Sequence, residues 1–220
     1  MDTIRIMVQL QIASIETPLL ESPPAASLAL RLVARAQTMG FLPVRKNRRL
    51  ALDRDFLEEL AELIRRQGVA SNATTSLVQA TRTEPLDEAQ LVDALRATLE
   101  AVDASPHPEG EWDPARDILG DELLARLLQI STSSLRRYAA GERPTPDEVA
   151  WRLHLVARLL AALIGSYNDY GIRRWFERRR TGLDGATPAE LLESAETEDD
   201  ARLERVLTLA EELMGAGAAA

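Results

Sequence analysis

The residues of this chain best suited to recognition chemistry lie in one short stretch. Between Asp121 and Tyr138 the sequence reads as two helices joined by a tight turn at Gln129, Ile130 and Ser131. A second helix that crosses a first one closely needs a small residue beneath it, and Ala125 supplies that. Ile130, five positions on, is expected to be buried, and Leu135 and Tyr138 are expected to turn inward. Thr132, Ser133, Arg136 and Arg137 are then left outward, a polar face of the kind that lies in the major groove of DNA. Ser131 is placed to cap the second helix, which leaves backbone amides facing a phosphate. Arg136, Arg137 and Arg143 against Glu142 give a local charge of +2. The opposing reading is structural: any three-helix bundle contains such a turn, and Asp117, Asp121 and Glu122 lie close by. DNA binding is the preferred expectation, with Ser131, Thr132, Ser133, Arg136, Arg137 and Arg143 as contacts.

Catalytic chemistry is poorly supplied. The 220 residues contain no cysteine and only two histidines, His107 and His154. Disulfides, thiolate zinc sites and Cys nucleophiles are excluded, and histidine-based triads or metal sites lack material. His154 falls among apolar residues and is expected to pack; His107 lies between prolines. No paired carboxylates or glycine-rich phosphate loop stand out. The expectation is a protein that is not an enzyme, with no catalytic residue, metal or cofactor. Net charge is −9, so any nucleic-acid binding must come from a local basic patch. The opening Met1-Asp2-Thr3 has no basic targeting region, and the apolar stretch from Leu153 to Gly165 is interrupted by His154 and Arg158. A cytoplasmic protein is expected.

With 45% hydrophobic and 28% charged residues, the chain can bury a core. Ile4, Ile6, Val8, Leu10 and Ile12 alternate with other residues, which predicts a half-buried strand. Its partner is either Arg49 to Leu52 or a second copy of the chain. Helices are expected over Ala25 to Met39, from the Asp53 cap to Gln67, and over Asp87 to Val102. Ser71 to Thr83 is polar and Thr-rich, a loop or a weak helix. Arg45-Lys46-Asn47-Arg48-Arg49 is an exposed basic loop or the wing of a second DNA-binding module, the loop being preferred. Pro106, Pro108 and Gly110 mark Ala104 to Pro114 as a linker. Beyond it the chain is nearly all helical: Ala115 to Gln129 with a break at Gly120, Ser131 to Ala140, a long helix from a Thr145-Pro146-Asp147-Glu148 capping box, Tyr170 to Arg180, a helix capped by Thr187, and Asp200 to Met214.

The C-terminal part divides by charge. Residues 171–180 carry five arginines against Glu177, and residues 184–204 carry eight acids against Arg202. Read by itself, this is a pair of self-neutralising solvated faces.

The run Gly120-Asp121-Glu122-Leu123-Leu124-Ala125-Arg126-Leu127-Leu128-Gln129-Ile130-Ser131-Thr132-Ser133-Ser134-Leu135-Arg136-Arg137-Tyr138, then Gly141-Glu142-Arg143-Pro144 and a long Leu/Arg helix, resembles the MbcA/ParS/Xre antitoxin family. Gly171-Ile172-Arg173-Arg174-Trp175-Phe176 resembles that family's Trp-bearing helix. Leu183-Asp184-Gly185-Ala186-Thr187-Pro188-Ala189-Glu190-Leu191-Leu192 resembles its Leu-x-Gly-x-x-Pro-x-x-Leu-Leu segment. The likeness spans about Trp112 to Met214. An Asn-Pro pair common in the family is replaced here by Arg178-Arg179-Arg180-Thr181-Gly182, and the first hundred residues have no counterpart in its short members. The resemblance implies an antitoxin that neutralises an NAD-consuming RES-type toxin and represses its own operon. It implies partner contacts at Arg173, Arg174, Trp175, Leu183, Gly185, Pro188, Leu191 and Leu192.

The expected architecture is mainly α: a small N-terminal α/β domain over 1–105, a helix-turn-helix bundle over 112–165, and a partner-binding segment over 166–220. The leading function is a type II antitoxin and autoregulator, a homodimer that binds operator DNA and a RES-type toxin. The first alternative is a stand-alone DNA-binding regulator whose antitoxin-like part serves dimerisation or another protein partner. The second is a protein-interaction module with a vestigial helix-turn-helix. The strand at residues 4–12 and the apolar helix from Val149 to Ile164 are the candidate dimer contacts.

Overall fold

The computed structural model describes residues 11–17, 19–42 and 49–218. The chain is mainly helical, with eleven α-helices and one two-stranded parallel sheet among the described residues. It divides into two compact units, parted in sequence between Ser105 and Pro106. The basic run 45–48 and residues 4–10 of the alternating segment lie outside the described residues.

In the N-terminal unit, β1 (Gln11–Ile15) and β2 (Arg49–Leu52) pair in parallel, with Gln11 opposite Arg49 and Ile15 opposite Leu52. Of the segment read as a strand, Gln11 and Ile12 lie in β1, which runs on to Ile15 and has a partner within the chain. A parallel pair needs a crossover, and α1 (Pro23–Thr38) provides it. Ser22 caps α1, with Pro at its first positions, and its hydroxyl also donates to Glu88 at 2.7 Å. Asp53 caps α2 (Arg54–Arg66) by accepting from the Phe56 amide at 2.8 Å. The segment read as a loop or weak helix is α3 (Ser71–Arg82). Its buried stripe is Thr74, Leu77, Ala80 and Thr81. The two threonines bury because their hydroxyls donate to the helix's own carbonyls, Thr74 to Ala70 at 3.0 Å and Thr81 to Val78 at 2.9 Å. α3 packs on α2 and on α4 (Glu88–Asp103), and α4 also packs on α1. There Arg35, almost wholly buried, pairs with Asp103 at 2.6 Å.

The second unit contains α5 (Pro108–Leu119), α6 (Asp121–Leu127), α7 (Thr132–Ala139), α8 (Asp147–Ile164), α9 (Asp169–Glu177), α10 (Pro188–Ser194) and α11 (Ala201–Ala218). The linker is shorter than expected, since α5 starts at Pro108. Pro114 sits inside that helix, buried with Trp112, Ala115, Ile118 and Leu119. Gly120, at φ 78°, separates α5 from α6. α8 is the core of the unit, its inner residues Leu153, Val156, Leu159, Leu160 and Leu163 fully buried against α5 and α11. Trp151, Leu155 and Ile164 of the same helix are half-buried. The capping box at Thr145 does not form; the Thr145 hydroxyl instead accepts from the buried Trp112 indole at 3.1 Å. The one at Thr187 and Glu190 does form. α9 ends three residues earlier than the sequence pattern indicates. Residues 106–218 fall within one compact unit.

Candidate nucleic-acid interface

α6 ends at a turn whose backbone is fixed by two hydrogen bonds. The Ile130 amide donates to the Ala125 carbonyl at 3.0 Å and the Gln129 amide to Arg126 at 3.1 Å. This is the pattern that closes a helix with a left-handed residue. That residue is Gln129, at φ 55°, where glycine is the usual occupant. The Gln129 side chain gives a reason for the substitution: its amide nitrogen donates to the Glu193 carbonyl at 2.7 Å and also reaches Ala195. Arg152 of α8 donates to the Leu192 and Ala195 carbonyls at 3.0 and 2.6 Å. The turn and the end of α10 are therefore tied together. Arg126 extends the tie with ion pairs to Glu177 and Glu193, at 3.1 and 2.9 Å.

α7 is anchored from below. Leu135 is fully buried. Tyr138 is half-buried, stacked on Trp112 with ring centroids 6.3 Å apart. Ile130, expected to be buried, is also half-buried. Ser131 caps the helix through the Ser134 amide at 3.1 Å and bonds the Ser133 hydroxyl at 2.9 Å. Ser131, Thr132, Ser133, Arg136, Arg137 and Arg143 are all exposed. The six expected DNA contacts therefore lie at the surface, but they are not equivalent. Arg136 donates to Asp121 at 2.8 Å, and Arg116 donates to the other oxygen of the same carboxylate at 2.9 Å. These bonds, that of Arg116 foremost, hold the Asp121 carboxyl below the usual carboxylate range. Arg137 and Arg143 have no ion-pair partner among the described residues.

The expected partner-binding residues are mostly spent on the fold. Trp175 is 1% exposed, packed edge-to-face on Phe176 at 5.3 Å, and Arg180 lies over its ring. Leu183 and Leu192 are buried, as is Pro188. Leu192 is in the core, where α10 closes against α6 and α9, so this side chain is not at the surface where a partner contact was expected. Gly185 serves a turn: its φ is 82°, and its amide donates to Arg180 at 3.0 Å. Arg173 donates to the Ile118 carbonyl at 2.6 Å, which satisfies the C-terminal end of α5. Outward there are the exposed Arg173, Tyr170, 65% exposed, with Arg174 bonded to its hydroxyl, and the half-buried Leu191.

His154 is buried, with Nδ1 2.6 Å from a Glu111 carboxylate oxygen that also accepts from the His107 amide. Sequence reasoning missed Gln129, Arg152 and the clamping role of Asp121. The one available signal was a non-glycine residue at a position where a helix must turn left-handed. Among the described residues no group of three His, Cys, Asp or Glu side chains is placed to hold a metal ion, and no helix is long and apolar enough to cross a membrane. Comparison of the chain with family models, with curated proteins and with solved structures gave no match.

Proposed function

We propose that the second unit binds duplex DNA through α7 and that the chain is an antitoxin that represses its own operon. The observation that carries the DNA reading is the exposed α7 face. Ser131, Thr132, Ser133 and Arg137 point outward from a helix held beneath by Leu135 and the Tyr138–Trp112 stack. An anchored helix with a free polar face is what groove recognition needs. The antitoxin reading rests on the family resemblance over about 112–214, and the surface left for a RES-type toxin includes Tyr170, Arg173, Arg174 and Leu191. In this reading the protein performs no chemistry and acts as a homodimer, since paired helices reading one face of DNA require two-fold symmetry.

The burial of Trp175, Leu183 and Leu192 favours a second reading, a stand-alone DNA-binding regulator whose antitoxin-like segment serves dimerisation or another protein partner. Two experiments test these readings, and the second separates them. Arg137→Ala should weaken binding to the chain's own promoter and lower the salt slope by about one phosphate. Co-expression with the product of the adjacent gene should abolish that product's toxicity. A harmless neighbour, or one that stays toxic beside this chain, ends the antitoxin reading and leaves the regulator. Promoter binding unchanged in a folded Arg137→Ala protein ends the reading of α7.

A further inference from the structure

The N-terminal unit contains a second four-residue helix–helix turn, which differs from the first at its last residue: Ala70 is left-handed at φ 52° and makes no side-chain cap, whereas Ser131 is extended and caps α7. Residues 67–70 join α2 to α3, and residues 128–131 join α6 to α7; both turns have four residues. The second residue of each has positive φ, 78° at Gly68 and 55° at Gln129. The third is apolar, Val69 in one and Ile130 in the other. The fourth residue of each following helix, Thr74 or Leu135, is buried.

The outward face of α3 consists of Ser71, Asn72, Thr75, Ser76, Gln79 and Arg82. None is acidic. Residues 63–83 hold three arginines and no Asp or Glu, in a chain with 35 acids among 220 residues. The side-chain amides of Asn72 and Gln79 make no hydrogen bond among the described residues. They lie seven residues apart, on one helix face and about 10.5 Å apart along the axis. That is roughly three base-pair steps. A carboxamide pairs bidentately with adenine in the major groove, which is wide enough for an α-helix. Arg65 and Arg66, at the end of α2, pair with Glu62 at 2.8 and 3.1 Å, and Arg82 pairs with Glu58 at 2.7 Å. All three arginines are more than half exposed. Exposed pairs are weak and screened, so a phosphate can take the arginines over.

Other polymers fit this face less well. Single strands need exposed aromatic platforms. The aromatic residues of residues 6–105 are Phe41 and Phe56, 3% and 6% exposed. Double-stranded RNA has a major groove too deep and narrow for a helix. We infer that α3 is a second duplex-DNA-reading face, with Asn72 and Gln79 as base-edge contacts and Arg65, Arg66 and Arg82 as phosphate contacts. It stands independently of α7.

The test is enrichment of duplexes from a random-sequence pool by the full-length chain, followed by affinity and salt titration on the enriched duplex. The variants are Asn72→Ala with Gln79→Ala, Ser76→Glu, and Arg137→Ala. These α3 positions are exposed, and circular dichroism checks that each protein is folded. The double variant should bind the enriched duplex roughly tenfold more weakly for each carboxamide removed, with the preference relaxed at particular base pairs. Ser76→Glu should weaken binding to all sequences. Equal affinity and the same enriched sequence in the double variant overturn the inference. So does a weakening confined to Arg137→Ala, which would leave α7 as the reader. Enrichment of no duplex by the full-length chain overturns both readings.

Discussion

If α7 binds DNA as proposed, replacing Asp121 by Asn should strengthen that binding while making the protein less stable. The carboxylate accepts from Arg116 and Arg136 at 2.9 and 2.8 Å, and it sits in the first turn of α6. Arg136 is two-thirds exposed, so its pair contributes little, about 0.2–1 kcal/mol. The Arg116 pair is more buried, and the Asp also favours the positive end of α6 by about 0.3–1 kcal/mol. The stability loss is therefore about 1–2 kcal/mol in all. Against it, Arg136 is released on a face where Arg137 is already free, and one negative charge is removed. One further phosphate contact steepens the salt slope by about 0.9. Between about 50 and 200 mM salt that difference amounts to roughly a threefold change in affinity relative to the wild type. Urea denaturation and salt titration on the promoter duplex measure the two effects. Acid denaturation adds a third readout. A carboxyl held below its ordinary pKa in the folded state contributes stability above its unfolded pKa, and that stability is lost as pH falls. Asp121→Asn removes that portion of the acid dependence. Wild-type affinity and salt slope in the folded variant would refute the claim that Asp121 restrains Arg136 from a phosphate.

The remaining predictions concern the second unit. Gln129→Ala keeps the left-handed backbone without the hydrogen bonds to Glu193 and Ala195, and should cost about 1–2 kcal/mol in urea denaturation; Gln129→Gly, free of the backbone strain, should cost less. Asp200 is drawn down to about 2, first by the hydrogen bond from the Arg202 guanidinium and then by its backbone amide. The stability this confers is present above the unfolded pKa and lost as pH falls toward about 2. In Arg202→Ala, carboxyl NMR should find Asp200 titrating at a higher pH than in the wild type.

Periodicity made most helices legible. Val149, Leu153, Val156, Leu160 and Leu163 announced α8, and Asp53 and Thr187 announced their caps. α3 was hidden because half of its buried stripe is threonine, which counts as polar until its hydroxyl is seen satisfied by the helix's own carbonyls. Pro114 concealed the body of α5, since a proline in sequence signals a break whether or not the surrounding side chains pack. At the candidate site, exposure of the α7 face followed from the spacing of Leu135 and Tyr138. The occupation of Arg136 by Asp121 did not, because an ion pair fifteen residues apart depends on how α6 meets α7. The same holds for Leu192, which local sequence marks as apolar without saying which surface it meets.

The grip of Gln129 and Arg152 on the last carbonyls of α10 makes the turn before α7 and the C-terminal segment a coupled pair. A ligand that lifts α10 must release those donors, and the Gln129 backbone then loses what compensates its left-handed strain. Free energy of coupling between two sites is reciprocal. Whatever DNA on α7 gains from a seated α10, a ligand that unseats α10 loses in the presence of DNA, by the same factor. If α7 reads an operator as proposed, occupancy of that operator would report occupancy of the C-terminal segment, with no separate signalling element between them.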